Sequence, residues 1–317
     1  MATPRPRTVG ALVLTRLRLF AVIGLIVVAT VGALLVLVPL ARGRQLPGLH
    51  LNTSPSPEVA NIAMQSAPPP PTLKAGPVTN PTGMYEFGWA LLDRHTNQVA
   101  GSANKDTMTN TTESMVKPWL AADYLRQFGA KQPPQQVSDE ITLMIEDSND
   151  KMADKYYGLD GGQVSIKRLV TTCGLKNAVG DSTGWSYTRL TPADAARYGK
   201  CVGDGTAAGA AQTPFLLDKM RHVRGGVKDQ VSRTVQGGHW GIIDALPAVL
   251  AQDTAIKNGW TYIFADGRWH LNCMAIHPDW VLAVEMQYVG SQGASGLQIG
   301  ADTCASVARQ LTYSPEV

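Results

Sequence analysis

The chain has 317 residues, enough for one catalytic-size domain with a substantial core plus an anchor and a spacer, and too few for a second full domain. Its formal charge of +3 misleads, because six of its 28 basic residues are arginines at or before Arg44; the remaining 22 face 25 acidic residues, a balance of −3. An exterior portion of that sign argues against a nucleic-acid partner.

Residues 1–18 form a basic segment carrying Arg5, Arg7, Arg16 and Arg18, with no acidic residue before Glu58. Leu19 to Ala41 are 23 consecutive uncharged, mostly apolar residues. At 1.5 Å per helical residue they span about 34 Å, enough to cross a hydrocarbon core of roughly 30 Å. The arginines predict a cytoplasmic N-terminus and an extracytoplasmic remainder, a single-pass protein of the cell membrane. A cleaved signal peptide is the alternative, but the apolar stretch is long for one, and Pro39-Leu40-Ala41-Arg42-Gly43 is a poor small-residue cleavage site. No cysteine lies near its end, so a lipoprotein is not expected and is excluded on this reading. Residues 42–83 are rich in Pro, Ser, Thr and Ala, include Pro68-Pro69-Pro70-Pro71, and lack apolar periodicity; they are expected to be an extracytoplasmic spacer.

The folded domain is expected over residues 84–317. Tyr85 to Asp93 and Gln98 to Ser102, around a His95-Thr96-Asn97 turn, predict a hairpin. Ser114 opens a run with apolar residues at helical spacing, and Pro118 fits only near a helix start, where backbone N–H groups have no intrahelical partner. Ile141 to Tyr157 predicts one helix and Gln163 to Cys173 another, ending before Gly174. Thr191-Pro192 and Thr213-Pro214 each place a capping residue before a proline. From Lys257 onward the pattern turns to strands at 260–264, 269–276 and 280–288, followed by a helix at about 301–311. The order predicts an α+β fold, an antiparallel five-stranded sheet built from both ends of the domain around a helical insertion.

The four cysteines, Cys173, Cys201, Cys273 and Cys304, all lie in the portion expected to be exported, where disulfides form. Sequence order favours Cys173 with Cys201 and Cys273 with Cys304. Four cysteines allow three pairings, and buried free thiols are the alternative. Their spacings match no metal pattern, and no cofactor is expected.

The candidate chemistry centres on Ser114-Met115-Val116-Lys117. Residues three apart share a helix face, so the Lys117 amine is placed to act as base toward the Ser114 hydroxyl. Ser102-Ala103-Asn104-Lys105 has the same spacing but follows Gly101 in a polar, turn-forming stretch. Lys257-Asn258-Gly259-Trp260 supplies a second lysine, whose charge and the burial of both would lower the pKa of Lys117.

These residues resemble the penicillin-recognising serine family of class A β-lactamases and DD-peptidases, over roughly residue 84 to the C-terminus. That family carries Ser-x-x-Lys on a helix, a Ser-x-Asn element, and Lys-Thr-Gly on a strand. Here the three would be Ser114 to Lys117, the Ser148-Asn149-Asp150 segment and Lys257-Asn258-Gly259. The resemblance implies Ser114, Lys117, Ser148 and Lys257 as catalytic residues. It implies Asn149, Asp150, Asn258, Gly259 and Trp260 as substrate-binding, with the N–H groups of Ser114 and Trp260 as oxyanion donors. A peptidoglycan peptide or a β-lactam-like small molecule would be the ligand, its carboxylate drawn to Lys257.

Three departures stand out. Aligning on Ser148 puts Asp150 where Asn is expected, while aligning on Asn149 puts Asp147 where Ser is expected. Asn258 replaces the usual Thr or Ser. No Glu occurs between Asp147 and Val284, the stretch in which class A enzymes carry the base of their deacylating water, so slow deacylation is expected. Asp181 is the acidic residue of that neighbourhood, and in a Gly-Asp-Ser-Thr-Gly turn it is expected to cap. His239, Arg221, Arg224 and Arg268 are expected to be structural or exposed, and Trp260, Trp269 and Trp280 to face the core or the sheet. The alternative is a binding or scaffold module of the cell envelope that kept the fold while motif drift abolished turnover.

Overall fold

The computed structural model describes residues 69–181, 183–229 and 236–314. The expected membrane helix at 19–41 lies outside the described residues, as does the spacer up to residue 68. Among the described residues no helix is long and apolar enough to cross a membrane.

Among the described residues nine strands follow in chain order: β1 (Thr72–Leu73), β2 (Met84–Asp93), β3 (Val99–Gly101), β4 (Asn110–Thr111), β5 (Arg189–Leu190), β6 (Ala255–Ile263), β7 (Arg268–Ile276), β8 (Trp280–Tyr288) and β9 (Thr312–Tyr313). Five of them form one sheet of order β3-β2-β8-β7-β6, antiparallel throughout. The expected α+β fold is present, and its sheet is assembled from both ends of the domain. Strand β6 begins five residues before the expected position, so Lys257-Asn258-Gly259 lies inside an edge strand.

The longer helices of the described residues are α1 (Lys117–Leu125), α2 (Gln135–Glu146), α3 (Asp150–Leu159), α4 (Gln163–Cys173), α5 (Pro192–Gly203), α6 (Thr213–Arg221) and α7 (Ala294–Leu311). The sheet is covered on both faces, which explains why β7 and β8 are buried along almost their whole length rather than at alternate residues. A Cβ built on Gly199 of α5 would meet Val281, Met274 and Ile276, and one on Gly300 of α7 would meet Leu271, so alternate residues of β7 face opposite helices.

Three expectations are corrected. The single helix at 141–157 is two, α2 and α3, broken at Asp147-Ser148-Asn149, where Ser148 takes φ +53°. The terminal helix starts at Ala294 rather than near Ala301; Gly296 and Gly300 disguise its first turns, yet both are needed for close approach to Trp269 and Leu271. Part of the expected spacer is packed: β1 pairs with β9, and Leu73 is buried.

Both disulfides favoured by sequence order are present. Cys173–Cys201 ties α4 to α5, and Cys273–Cys304 ties β7 to α7, leaving no free cysteine among the described residues.

Candidate active site

Ser114 sits on a single 3-10 turn, Glu113–Val116, that runs directly into α1. The Lys117 N–H donates to Ser114 O, closing that turn and stacking residue i+3 over residue i. Pro118 occupies the first turn of α1, as expected, and the next orphan donor, Trp119 N–H, goes to Tyr198 Oη at 2.9 Å. Upstream, Thr112 N–H donates to Thr188 O at 2.7 Å and Glu113 N–H to Ser186 O at 2.9 Å. Glu113 itself has φ +49°, a left-handed conformation unusual for a non-glycine residue.

A buried amide pair fixes this segment to the sheet. Asn272 Nδ2 donates to Thr111 O at 2.7 Å, and Asn110 Nδ2 donates to Asn272 Oδ1 at 2.9 Å. Strand β4, which delivers the nucleophile, is thereby bonded to β7. Gly259 completes the contact from β6: a Cβ there would lie 2.9 Å from Ser114 N and 2.2 Å from Thr112 O. Only a glycine lets the strand approach so closely.

Behind Ser114, the buried Lys117 Nζ donates to Ser148 O (2.5 Å), Ser148 Oγ (3.1 Å) and Asp150 Oδ1 (2.6 Å). An ammonium has three protons, and all three find acceptors. The Trp185 ring lies 5.0 Å from the same nitrogen. Burial pulls the Lys117 pKa down, and the charge and hydrogen bond of Asp150, followed by Asp154 and Glu113, act against it. No hydrogen bond joins Ser114 Oγ to Lys117 Nζ among the described residues.

The break between α2 and α3 decides the register of the second motif. The left-handed Ser148 points both its carbonyl and its hydroxyl at Lys117, and Asp150 comes from the start of α3. Asn149 caps α3, its Oδ1 accepting from Met152 N–H at 3.0 Å. Asp147 pairs with Arg224 at 2.5 Å.

Lys257 is fully buried, and its Nζ donates to Gly237 O at 3.2 Å. Burial, then the charge of Lys117, hold its pKa far below the usual lysine value, with Asp150 and Asp147 opposing. The Asn258 Nδ2 donates to Gly238 O and Trp240 O, each at 2.8 Å. The 237–240 segment thus covers both residues. Trp260 packs edge-on against Trp240, with ring centroids 5.1 Å apart.

A cleft of about 570 Å³ opens at Ser114. Glu113, Ser114, Asp150, Trp185, Tyr187 and Trp260 are among its walls; Lys117, Ser148 and Lys257 lie behind them. Asp181 accepts from the Thr183 N–H (2.7 Å), a turn cap whose hydrogen bonds lower its pKa. Ser102 is taken up in the hairpin, where its Oγ accepts from Trp89 N–H at 3.1 Å, and Lys105 pairs with Asp106. Sequence reasoning overlooked Glu113 and the Asn110–Asn272 pair. The signal for Glu113 was present: a carboxylate directly preceding the nucleophile. Among the described residues no group of three His, Cys, Asp or Glu side chains is placed to hold a metal.

The backbone has the fold of the penicillin-recognising serine β-lactamases and DD-peptidases. It superposes on the TLA-3 extended-spectrum β-lactamase with TM-score 0.54 at 18% identity, over 73% of this chain and 94% of that one. The TLA-1 extended-spectrum β-lactamase gives TM-score 0.52 at 15% identity, over 71% of this chain and 92% of that one. The class A β-lactamase from Mycobacterium abscessus gives 0.50 at 15% identity over 72% and 94%. By sequence the chain is similar to "Putative lipoprotein LppW" of Mycobacterium tuberculosis and Mycobacterium bovis, 25% identical over 203 residues. That alignment takes 62% of this chain, which spans about three fifths (61%) of the length of those relatives. No family model matches.

Proposed function

We propose that the protein is an extracytoplasmic serine acyl-enzyme of the β-lactamase/DD-peptidase type, held at the cell membrane by an N-terminal helix at residues 19–41 and a spacer. Its ligands are a cell-wall peptide, a β-lactam or a related ester or amide. One observation carries this reading: a cleft opens at Ser114, with a buried lysine one turn further on and with Gly259 packed against the serine N–H. Ser114 Oγ attacks the carbonyl carbon, its proton passing to Lys117 once that amine is neutral. Ser114 N–H and Trp260 N–H are the donors to the oxyanion, and Ser148 Oγ, 3.1 Å from Lys117 Nζ, carries a proton onward to the leaving group.

A second reading, a catalytically impaired binding or scaffold module, is favoured by a different observation. The cationic and amide groups that would hold a substrate carboxylate, Lys257 and Asn258, are bonded to the carbonyls of Gly237, Gly238 and Trp240. Intact-mass measurement after penicillin treatment of the full chain separates the two. An acyl-enzyme gains one ligand mass on the peptide carrying Ser114, absent in Ser114→Ala and strongly reduced in Lys117→Ala. Label on Ser102 would move the nucleophile to the other tetrad. Absence of adduct, with ester substrates also untouched, would establish the impaired module.

A further inference from the structure

Glu113 is buried to 8% exposure, lines the cleft beside Ser114, and its Oε1 has no hydrogen-bond partner among the described residues. An unpaired buried carboxyl oxygen is destabilising, so a fold retains one where something else makes use of it. Its placement is also strained: the side chain reaches this wall because the backbone takes φ +49°, held by the Glu113 N–H bond to Ser186 O. The cleft it borders is polar and roomy enough for water beside the serine.

Resting on the acyl-enzyme reading above, we propose that Glu113 is the general base that activates water for deacylation of Ser114. In that step the water oxygen forms a bond to the acyl carbonyl carbon while Glu113 Oε1 takes its proton. The tetrahedral intermediate then breaks its bond to Ser114 Oγ, which recovers the proton from Glu113. The products are the free acid and the original serine. The position differs from that of the expected base, since Glu113 precedes the nucleophile directly rather than arriving from the segment between the second and third motifs.

The electrostatics suit the task. Burial raises the Glu113 pKa to about 7; a hydrogen bond from the Thr111 hydroxyl lowers it, Asp150 raises it, and Lys117 lowers it. The other titratable groups around it are Asp154 and Tyr157 of α3, Tyr187 of the 179–188 loop, and His270 of β7, which reaches the same Thr111 hydroxyl at 3.3 Å. A base with this pKa is half ionised near neutrality. The deacylation rate then rises with pH through about 7, because the carboxylate is the active form.

The test uses the full chain in detergent, acylated with a fluorescent penicillin, cleared of free drug and followed by intact mass. The expected result is a wild-type adduct whose decay rate rises between pH 5.5 and 8.5 with its midpoint near 7. Glu113→Gln should still be labelled on Ser114, with an adduct lifetime longer by about 10²-fold. Equal lifetimes in the two proteins, a flat wild-type profile, or a wild-type adduct that does not decay would each overturn the proposal while leaving the acyl-enzyme reading intact. Failure of wild-type Ser114 to take label at all would overturn both. Should Glu113→Gln fail to fold, the wild-type profile decides alone.

Discussion

Lys117 Nζ and Asp150 Oδ1 lie 2.6 Å apart, a buried ammonium against a carboxylate whose side chain is 71% exposed. Where the penicillin-recognising family has a neutral amide, this chain has a charge that opposes the loss of a proton from its own candidate base. Asp150→Asn removes both the Coulombic and the hydrogen-bond contribution that hold the Lys117 pKa up. The lysine is then neutral at lower pH. The acid limb of the Ser114 acylation profile should therefore move to lower pH, with a rate at pH 6 higher by about 3- to 10-fold. A limb that stays put or moves upward would separate Asp150 from the base.

Gly259→Ala introduces a Cβ 2.2 Å from Thr112 O, 2.6 Å from Met115 N and 2.9 Å from Ser114 N, all backbone atoms. Something must shift, and every choice displaces the nucleophile turn. We expect a stability loss of about 1–3 kcal/mol and a fall in penicillin labelling of more than about tenfold. Unaltered labelling in a folded variant would refute the close approach.

Asn272→Ala removes the amide that donates to Thr111 O and accepts from Asn110. Buried partners are left unpaired, so urea unfolding should register a loss of about 2–3 kcal/mol. Acylation should slow as well, since β4 delivers Ser114. A loss below about 0.5 kcal/mol would show that the pair does not fix the segment.

Glu285 lies fully buried on β8 opposite Gly88, and neither carboxyl oxygen has a hydrogen-bond partner among the described residues. Burial, then the charge of Asp194, raise its pKa far above the usual carboxylate range, with Arg189 opposing. The folded protein keeps a proton that the unfolded chain releases above its ordinary pKa. Stability from this group is therefore fully present at low pH and falls as pH climbs toward the folded value, at ~1.4 kcal/mol per pH unit. Glu285→Gln should flatten that slope, so its melting temperature relative to wild type increases from pH 5 to pH 8. A constant difference across that range would place an ionised carboxylate at this site.

What the sequence disclosed was what local pattern controls. The 3.6-residue spacing after Ser114, the hairpin around His95-Thr96-Asn97 and the strands at 269–276 and 280–288 are visible without tertiary information. The division of 141–157 was not, because Ser148 takes a left-handed conformation that no helical periodicity announces, and its amphipathic pattern continues across the break. Asn149 and Asn258 illustrate a second limit. Both are polar residues at motif positions; the Oδ1 of one caps a helix and the Nδ2 of the other meets main-chain carbonyls, and a sequence does not say which partner an amide will meet. Glu113 is the opposite case: the family pattern expects an acid between the second and third motifs, whereas the fold supplies one from outside that range.

The β1–β9 ladder, in which Thr72 faces Tyr313 and Leu73 faces Thr312, brings the entry and exit of the described domain side by side. In polymer terms the domain is a ring fastened by a short zipper, and a ring has no privileged first residue. A circular permutant that joins Tyr313 to Thr72 through a few glycines and opens at the exposed Gly129-Ala130-Lys131 loop should fold with both disulfides formed and the cleft at Ser114 intact.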